Sequence, residues 1–294
     1  IFYILGSIGE AGANIFYDSL LPHVAYADEI DQVSSKGYAL GYIGGGLLLV
    51  VNLLWYMKPE WFGFSDSNVA VRVSFLSVAV WWLVFAIPLF RRVPEPPAAS
   101  HGERINVVRA GFARLAQTFR EVRRYKELAK FLLAFWLYSD GIGTIIKMAT
   151  IYGAEIGIKT ADLAGALLLT QIVAAPFAIG FGRLAKRIGA KRSIYIALGV
   201  YTLIVVAAYW MSQPWHFWVL AGCVGTVQGG SQALSRSLFS AMTPKARSAE
   251  FFGFFDISSK FAGILGPLLF GVVATLAGTS RFSIVSLIVF FVVG

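Results

Sequence analysis

Residues 40–57, LGYIGGGLLLVVNLLWYM, and 73–90, VSFLSVAVWWLVFAIPLF, each run without a single charged side chain. Both are continuously apolar, whereas the strands of a membrane barrel would be shorter and would alternate apolar with polar positions. About 20 such residues, coiled as a helix, cross a hydrocarbon core of about 30 Å. These stretches lie within spans expected at approximately 38–57 and 70–90, and comparable runs fall at approximately 2–23, 128–153, 162–182, 193–211, 215–237, 257–277 and 281 onward. The sequence therefore predicts an all-α polytopic membrane protein with nine spans.

Composition agrees. Of the 294 residues 57% are hydrophobic and only 14% charged, against about 25% charged in an ordinary soluble domain. Lipid is the solvent that suits the surplus apolar surface. The single cysteine, Cys223, excludes an internal disulfide and thiolate metal sites, and His23, His101 and His216 lie far apart in sequence. No metal and no cofactor is expected. Nor is there a nucleophile elbow, a phosphate-binding glycine loop or a histidine-rich zinc pattern, so an enzyme is not expected.

The net charge of +9 would suggest nucleic acid on a soluble surface, but its distribution points elsewhere. Connectors 24–37, 91–130, 183–192 and 236–260 hold 20 of the 25 basic residues, while Lys58, Arg72, Lys159 and Arg281 fall on the opposite side and Lys147 inside a span. The positive-inside rule makes the first group cytoplasmic. The charge is topology, and no nucleic-acid partner is expected.

Three parts follow: residues 1–90 with three spans, a cytoplasmic linker at 91–127, and residues 128–294 with six. After a proline-rich start the linker repeats Ile105, Val108, Phe112, Leu115, Phe119 and Val122 at helical spacing, with Arg109, Arg114, Arg120, Arg123 and Arg124 between them. That pattern predicts an amphipathic helix on the cytoplasmic membrane surface.

The turn after the fifth span reads GFGRLAKRIGAKR, residues 180–192, with Gly182, Arg187, Gly189, Lys191 and Arg192 spaced as G-x-x-x-x-R-x-G-x-K-R. This resembles the loop motif of the major facilitator superfamily, which lies between the second and third spans of that fold and recurs between the eighth and ninth. The resemblance makes the nine spans helices 4 to 12 of twelve, with the basic linker between two six-helix halves. It implies three further spans upstream, since the sequence starts at Ile1 and stops at Gly294 within apolar runs. Lys186 stands where the superfamily usually has an acid, which puts the charge relay of that acid in doubt here. Further segments are GEAGANIFYDSLLPHVA (9–25), GYALGYIGGG (37–46), QGGSQALSRSLFSAMTPKARSAEFFGFFD (228–256) and KFAGILGPLLFG (260–271). Together they resemble the autophagy-related vacuolar amino-acid effluxers, a branch of the superfamily with many bacterial members. The resemblance implies a secondary transporter with an amino acid as its small-molecule partner, acting as a monomer in a bilayer. A bacterial inner membrane is expected ahead of a vacuolar one. Another solute, such as a sugar or drug, and a non-transporting receptor or scaffold are the alternatives.

Ionisable side chains within spans cost about 2.5–3.5 kcal/mol each and face a cavity or a partner. Glu10, Asn14 and Asp18 form a ladder every fourth residue on the first span, and Asp140 and Lys147 stand two turns apart on the fourth. The superfamily fold sets these two spans and the seventh around the central cavity, and the seventh brings Gln228, Ser231, Gln232 and Ser235. Gln171 lies five residues before a kink expected at Pro176. A zwitterion would use Lys147 for its carboxylate and Glu10 or Asp140 for its ammonium. The same carboxylates are candidates to carry a coupling proton, because burial disfavours their charged form. A fixed salt bridge between the halves is the other reading. Gly37, Gly41 and Gly45, and Gly263 with Gly266-Pro267, are either packing notches or hinges. Arg236, Glu250, Asp256 and Lys260 are expected to form a cytoplasmic charge network.

Overall fold

The computed structural model describes residues 2–96 and 107–294, with helix as the regular structure throughout. The linker residues Arg104 and Ile105 lie outside the described residues, as do the side chains of Val108, Arg109, Phe112, Arg123 and Arg124. In chain order the helices are α1 (Phe2–Ser19), α2 (Leu21–Val24), α3 (Ile30–Met57), α4 (Ser67–Arg92), α5 (Val107–Arg124), α6 (Lys126–Glu155), α7 (Thr160–Ile188), α8 (Ala190–Ala208), α9 (Pro214–Met242), α10 (Ser248–Ala262), α11 (Leu265–Ala277), α12 (Ser280–Ser286) and α13 (Ile288–Val293).

Among the described residues six stretches are long and apolar enough to cross a membrane: α3, α4, α6, α7, α8 and the segment Lys245–Ala277 that holds α10 and α11. The other expected spans are also helical. In α9 the glutamines at 228 and 232 dilute the apolar content, α1 carries Glu10, Asn14 and Asp18, and the last span is split between α12 and α13.

Local chemistry sets the ends. Asp66 Oδ1 accepts from the backbone N–H groups of Asn68 and Val69 at 2.7 and 3.0 Å, capping α4. Pro214 opens α9, where its missing N–H costs nothing. Between α7 and α8 the chain turns at Gly189 alone, with φ at 89°, a left-handed value that side chains with a Cβ resist. Gly189→Ala is expected to lower stability by about 1 kcal/mol, read from the thermal midpoint of the protein in detergent. α7 runs through Pro176 as one helix.

Packing relies on small residues. A Cβ on Gly225 would sit 2.8 Å from Val173 Cβ, one on Gly229 2.8 Å from Ala178 Cβ, and one on Gly230 2.2 Å from Phe181 Cγ. These notches let α9 lie directly against α7. α3 packs across both, α8 covers α9, α1 lies on α10, and α6 touches α10, α11 and α13. The largest buried apolar cluster draws its members from Val122 to Phe291. Outward faces are apolar, with Phe75, Leu76, Phe90, Leu203 and Leu276 exposed, as lipid requires.

α5 does not simply rest on a membrane surface. Thr118 and Val122 are buried, Phe119 packs on Phe254, and Glu121 pairs with Arg247, so one side of the helix docks on the second half through α10. The apolar stripe that reads as lipid-facing in sequence is in part a protein interface.

Candidate functional site: a polar seam and an apolar cavity

α1 and α3 meet α7 and α9 along a polar seam. Its centre is Arg236, on α9 and only 5% exposed. The guanidinium Nη1 donates to Asp18 Oδ1 at 2.8 Å, Nε to Ser34 Oγ at 3.0 Å, and Nη2 to the Ser34 carbonyl at 3.0 Å. Tyr38 and Tyr17 cover it, with ring centroids 4.5 and 5.5 Å from the guanidinium carbon. Such a planar cation, bonded along its edge and stacked on its face, uses most of what arginine offers. Gly37 makes room: a Cβ there would lie 3.3 Å from both Arg236 Nη2 and Tyr17 Oη.

Further bonds extend the seam. Ser34 Oγ donates to the Ala233 carbonyl at 2.7 Å, Ser237 Oγ to Asp31, and Tyr42 Oη to Gln232 Oε1 at 2.6 Å. From the loop motif, Gly182 faces α3 so closely that a Cβ would sit 2.7 Å from Ser35 Cβ and 3.4 Å from the Asp31 carbonyl. Arg187, Lys191 and Arg192 of the motif are exposed, with Lys191 beside the Tyr195 ring at 5.8 Å. The glycine therefore packs α7 on α3, while the cations face outward.

A second polar contact joins α1 to α10. Asn14 Nδ2 donates to Glu10 Oε1, and Lys260 Nζ lies 3.8 Å from Glu10 Oε2, all partly open to solvent. Asp256 lies within electrostatic range of Lys260 and Glu10.

The four charges expected as one network divide into separate sets. Arg236 points into the seam, and Lys260 reaches Glu10. Glu250 instead accepts from Arg247 Nη2 and Nε at 2.6 and 2.8 Å, with Arg114 at 3.9 Å, and Arg247 also holds Glu121. The cause is geometric: α9 turns Arg236 inward nearly two helix turns before it ends at Met242, and Arg247 and Glu250 follow only at the start of α10.

A cavity of about 300 Å³ opens between α6, α7, α8 and α9, with Leu49 of α3 at its edge. Its walls are apolar, including Ile145, Phe217 and Ile204. Gln171 and Gln228 bring amides to it, the Thr170 and Tyr152 hydroxyls there donate to backbone carbonyls, and among the described residues no charged side chain lines it. Gln171 also reaches α3, its Nε2 3.5 Å from where a Cβ of Gly45 would lie. Gly41 has open space beside it.

Asp140 and Lys147 are not part of that lining. Asp140 is 1% exposed, and its Oδ2 accepts from the Gly266 backbone N–H at 2.8 Å. Lys147 Nζ lies 3.2 Å from the Cβ position of Gly263. Lys147 lies within electrostatic range of Asp140, while Glu10 meets Lys260 and Asn14.

Sequence reasoning missed Asp31, Ser34, Ser35, Tyr38 and Tyr42, and the Arg247–Glu121 contact. A signal was present: these polar residues of α3 recur at three and four residues on one helix face.

The chain can be set beside known proteins. A family model described as "Vacuole effluxer Atg22 like" matches residues 1–294. The chain is 42% identical to the uncharacterized MFS-type transporter YxiO of Bacillus subtilis, a match covering 100% of this chain and 68% of that protein. It is 29% identical to autophagy-related protein 22 of Yarrowia lipolytica, over 82% of this chain and 45% of that one. The chain thus spans about half the length of the fungal relatives it matches. The crystal structure of the major facilitator transporter FucP in the outward conformation superimposes with a TM-score of 0.68 at 13% identity, covering 94% of this chain and 69% of that chain. That likeness bears on the fold, and the relatives are transporters rather than enzymes. This multi-pass membrane protein belongs to the Atg22-like vacuole effluxer family, within the major facilitator superfamily of transporters.

Proposed function

We propose that the protein is a secondary transporter that moves an amino acid across a bacterial inner membrane by alternating access. In this reading its nine spans are helices 4 to 12 of a twelve-helix frame. Residues 1–90 belong to one bundle, 91–127 to the linker and 128–294 to the other. The observation that carries it is the double position of Gln171, which lines the cavity of one half and touches α3 of the other. A solute bonded to this amide is felt directly at the seam where the halves part.

The cavity's chemistry favours a solute with an apolar body. Two amides among apolar walls suit one or two oriented polar groups. A sugar would leave several hydroxyls without partners, at about 1–3 kcal/mol each. Lys147, with Glu10 or Asp140, is the candidate set for the charged ends of an amino acid. Glu10, half exposed beside Lys260 and Asn14, and Asp140, buried on the Gly266 N–H, are the candidates to carry a coupling proton. A single chain supplies cavity and seam, so the transporter works as a monomer.

Counterflow of labelled amino acids and sugars through the protein in proteoliposomes tests this. Exchange of apolar amino acids is expected, with KM raised about tenfold by Gln171→Ala or Gln228→Ala, the loss of one hydrogen bond. Exchange of sugars alone would overturn the substrate reading, and substrate-driven proton movement that persists in Glu10→Gln would remove Glu10 as carrier.

A further inference from the structure

The span formed by α10 and α11 is interrupted at Gly263–Ile264, deep in the membrane-crossing segment. An interruption frees backbone N–H groups at the start of the second piece and carbonyls at the end of the first. Neither can be left unpaired in lipid. Here the start of α11 is satisfied from a different helix: Asp140 of α6 accepts the Gly266 N–H at 2.8 Å. Gly266 permits the approach, since a Cβ there would lie 2.7 Å from Asp140 Oδ1 and 2.0 Å from Thr144 Oγ1. At the other side of the break, the α6 ammonium of Lys147 lies beside Gly263 and toward the Lys260 carbonyl end of α10. A carboxylate at the N-terminus of one piece and a cation near the C-terminus of the other match the two helix dipoles.

The pieces have different attachments. α10 packs on α6, with the Phe255 and Phe135 ring centroids 4.2 Å apart, and it is also tied to α1 by Lys260 and Glu10 and, at its N-terminal end, to α5 by Arg247 and Glu121. α11 is tied to α6 by Asp140, and it also packs on α12.

We propose that Asp140 is a positioning residue that fixes α11 to α6, so that Gly263–Ile264 is the hinge at which α10, the piece that also meets α1, bends relative to α11. What the hinge needs from Asp140 is an acceptor oxygen and not a charge. This goes beyond the transport reading and does not depend on the identity of the solute.

The test compares Asp140→Asn, which keeps an acceptor, with Asp140→Ala, which removes it. Ile264, half exposed at the break, becomes the reporter as Ile264→Cys with Cys223→Ser, labelled by N-ethylmaleimide in membranes. Asp140→Ala is expected to speed labelling about tenfold or more, because it leaves the Gly266 N–H without its acceptor, while Asp140→Asn stays within about twofold of the parent. Should Asp140→Ala fail to accumulate, Gly266→Ala reads the same contact from the α11 side and is expected to speed labelling likewise. Equal labelling in Asp140→Ala, or in Gly266→Ala, and the parent would overturn the proposal. So would Asp140→Asn behaving as Asp140→Ala, which would assign the role to the charge.

Discussion

Arg236→Ala is expected to open the cytoplasmic side of the protein and to be the most damaging single change in it. The substitution leaves Asp18 without its partner, and removes both bonds to Ser34 and the cation held under Tyr38 and Tyr17. Removing one member of a buried pair costs roughly 3–5 kcal/mol, because the other charge stays desolvated. Asp18 keeps some contact with solvent, with about a quarter of its side chain exposed, so the lower end of that range applies. About 3 kcal/mol corresponds to more than a hundredfold shift in the ratio of closed to open states. Arg236→Ala with Asp18→Asn should recover part of the loss, since the uncompensated charge is then gone. Arg236→Lys should not restore the wild type, because an ammonium cannot make the edge contacts to Ser34 and Asp18 together. Thermal midpoint and the accessibility of a cytoplasmic reporter cysteine measure both effects. Full additivity of the two single changes would show that the pair carries no coupling.

Gly182→Ala is expected to wedge the seam at the opposite pair of helices. A methyl group on Gly182 would arrive 2.7 Å from both Ser35 Cβ and Ser35 Oγ, with α3 backbone behind them at 3.4 Å. Overpacking of this kind costs about 1–3 kcal/mol. Because α7 and α3 face each other across the seam, their separation is the cheapest relief, so the strain should appear as a population shift toward a parted seam. Ser35→Gly in the same chain removes the clashing atoms and is expected to restore most of the parent behaviour. Failure of that rescue would mean that the strain is absorbed elsewhere.

Much of the helical framework is legible from hydropathy because lipid leaves few alternatives. The expected runs at 70–90, 128–153 and 193–211 correspond to Ser67–Arg92, Lys126–Glu155 and Ala190–Ala208. Where reading by hydropathy stops short, it does so for one reason: an apolar run ends at its first polar turn, but the helix continues. α3 starts at Ile30, not near residue 38, and the added turns carry Asp31, Ser34 and Ser35. Those residues form half of the seam. Arg236 shows the same effect from the other side, since a cation near a cytoplasmic connector reads as a topology signal when its position is known only along the chain. Glu10, Asn14 and Asp18 are legible as a ladder, and the structure turns them toward α10 and α9. Asp140 is legible as an intramembrane acid, but its partner is a backbone N–H on a helix 126 residues away in sequence. No spacing within one helix encodes that contact.

The seam between the halves is the gate of this account, and a distance across it is the direct test. Spin labels at Tyr26 and Lys186, both exposed and on opposite halves at the cytoplasmic face, report it in a cysteine-free background. The account predicts one dominant short distance in the parent protein by pulsed electron resonance, and a second, longer population of comparable size or greater in Arg236→Ala. Identical distance distributions in the two proteins would contradict it.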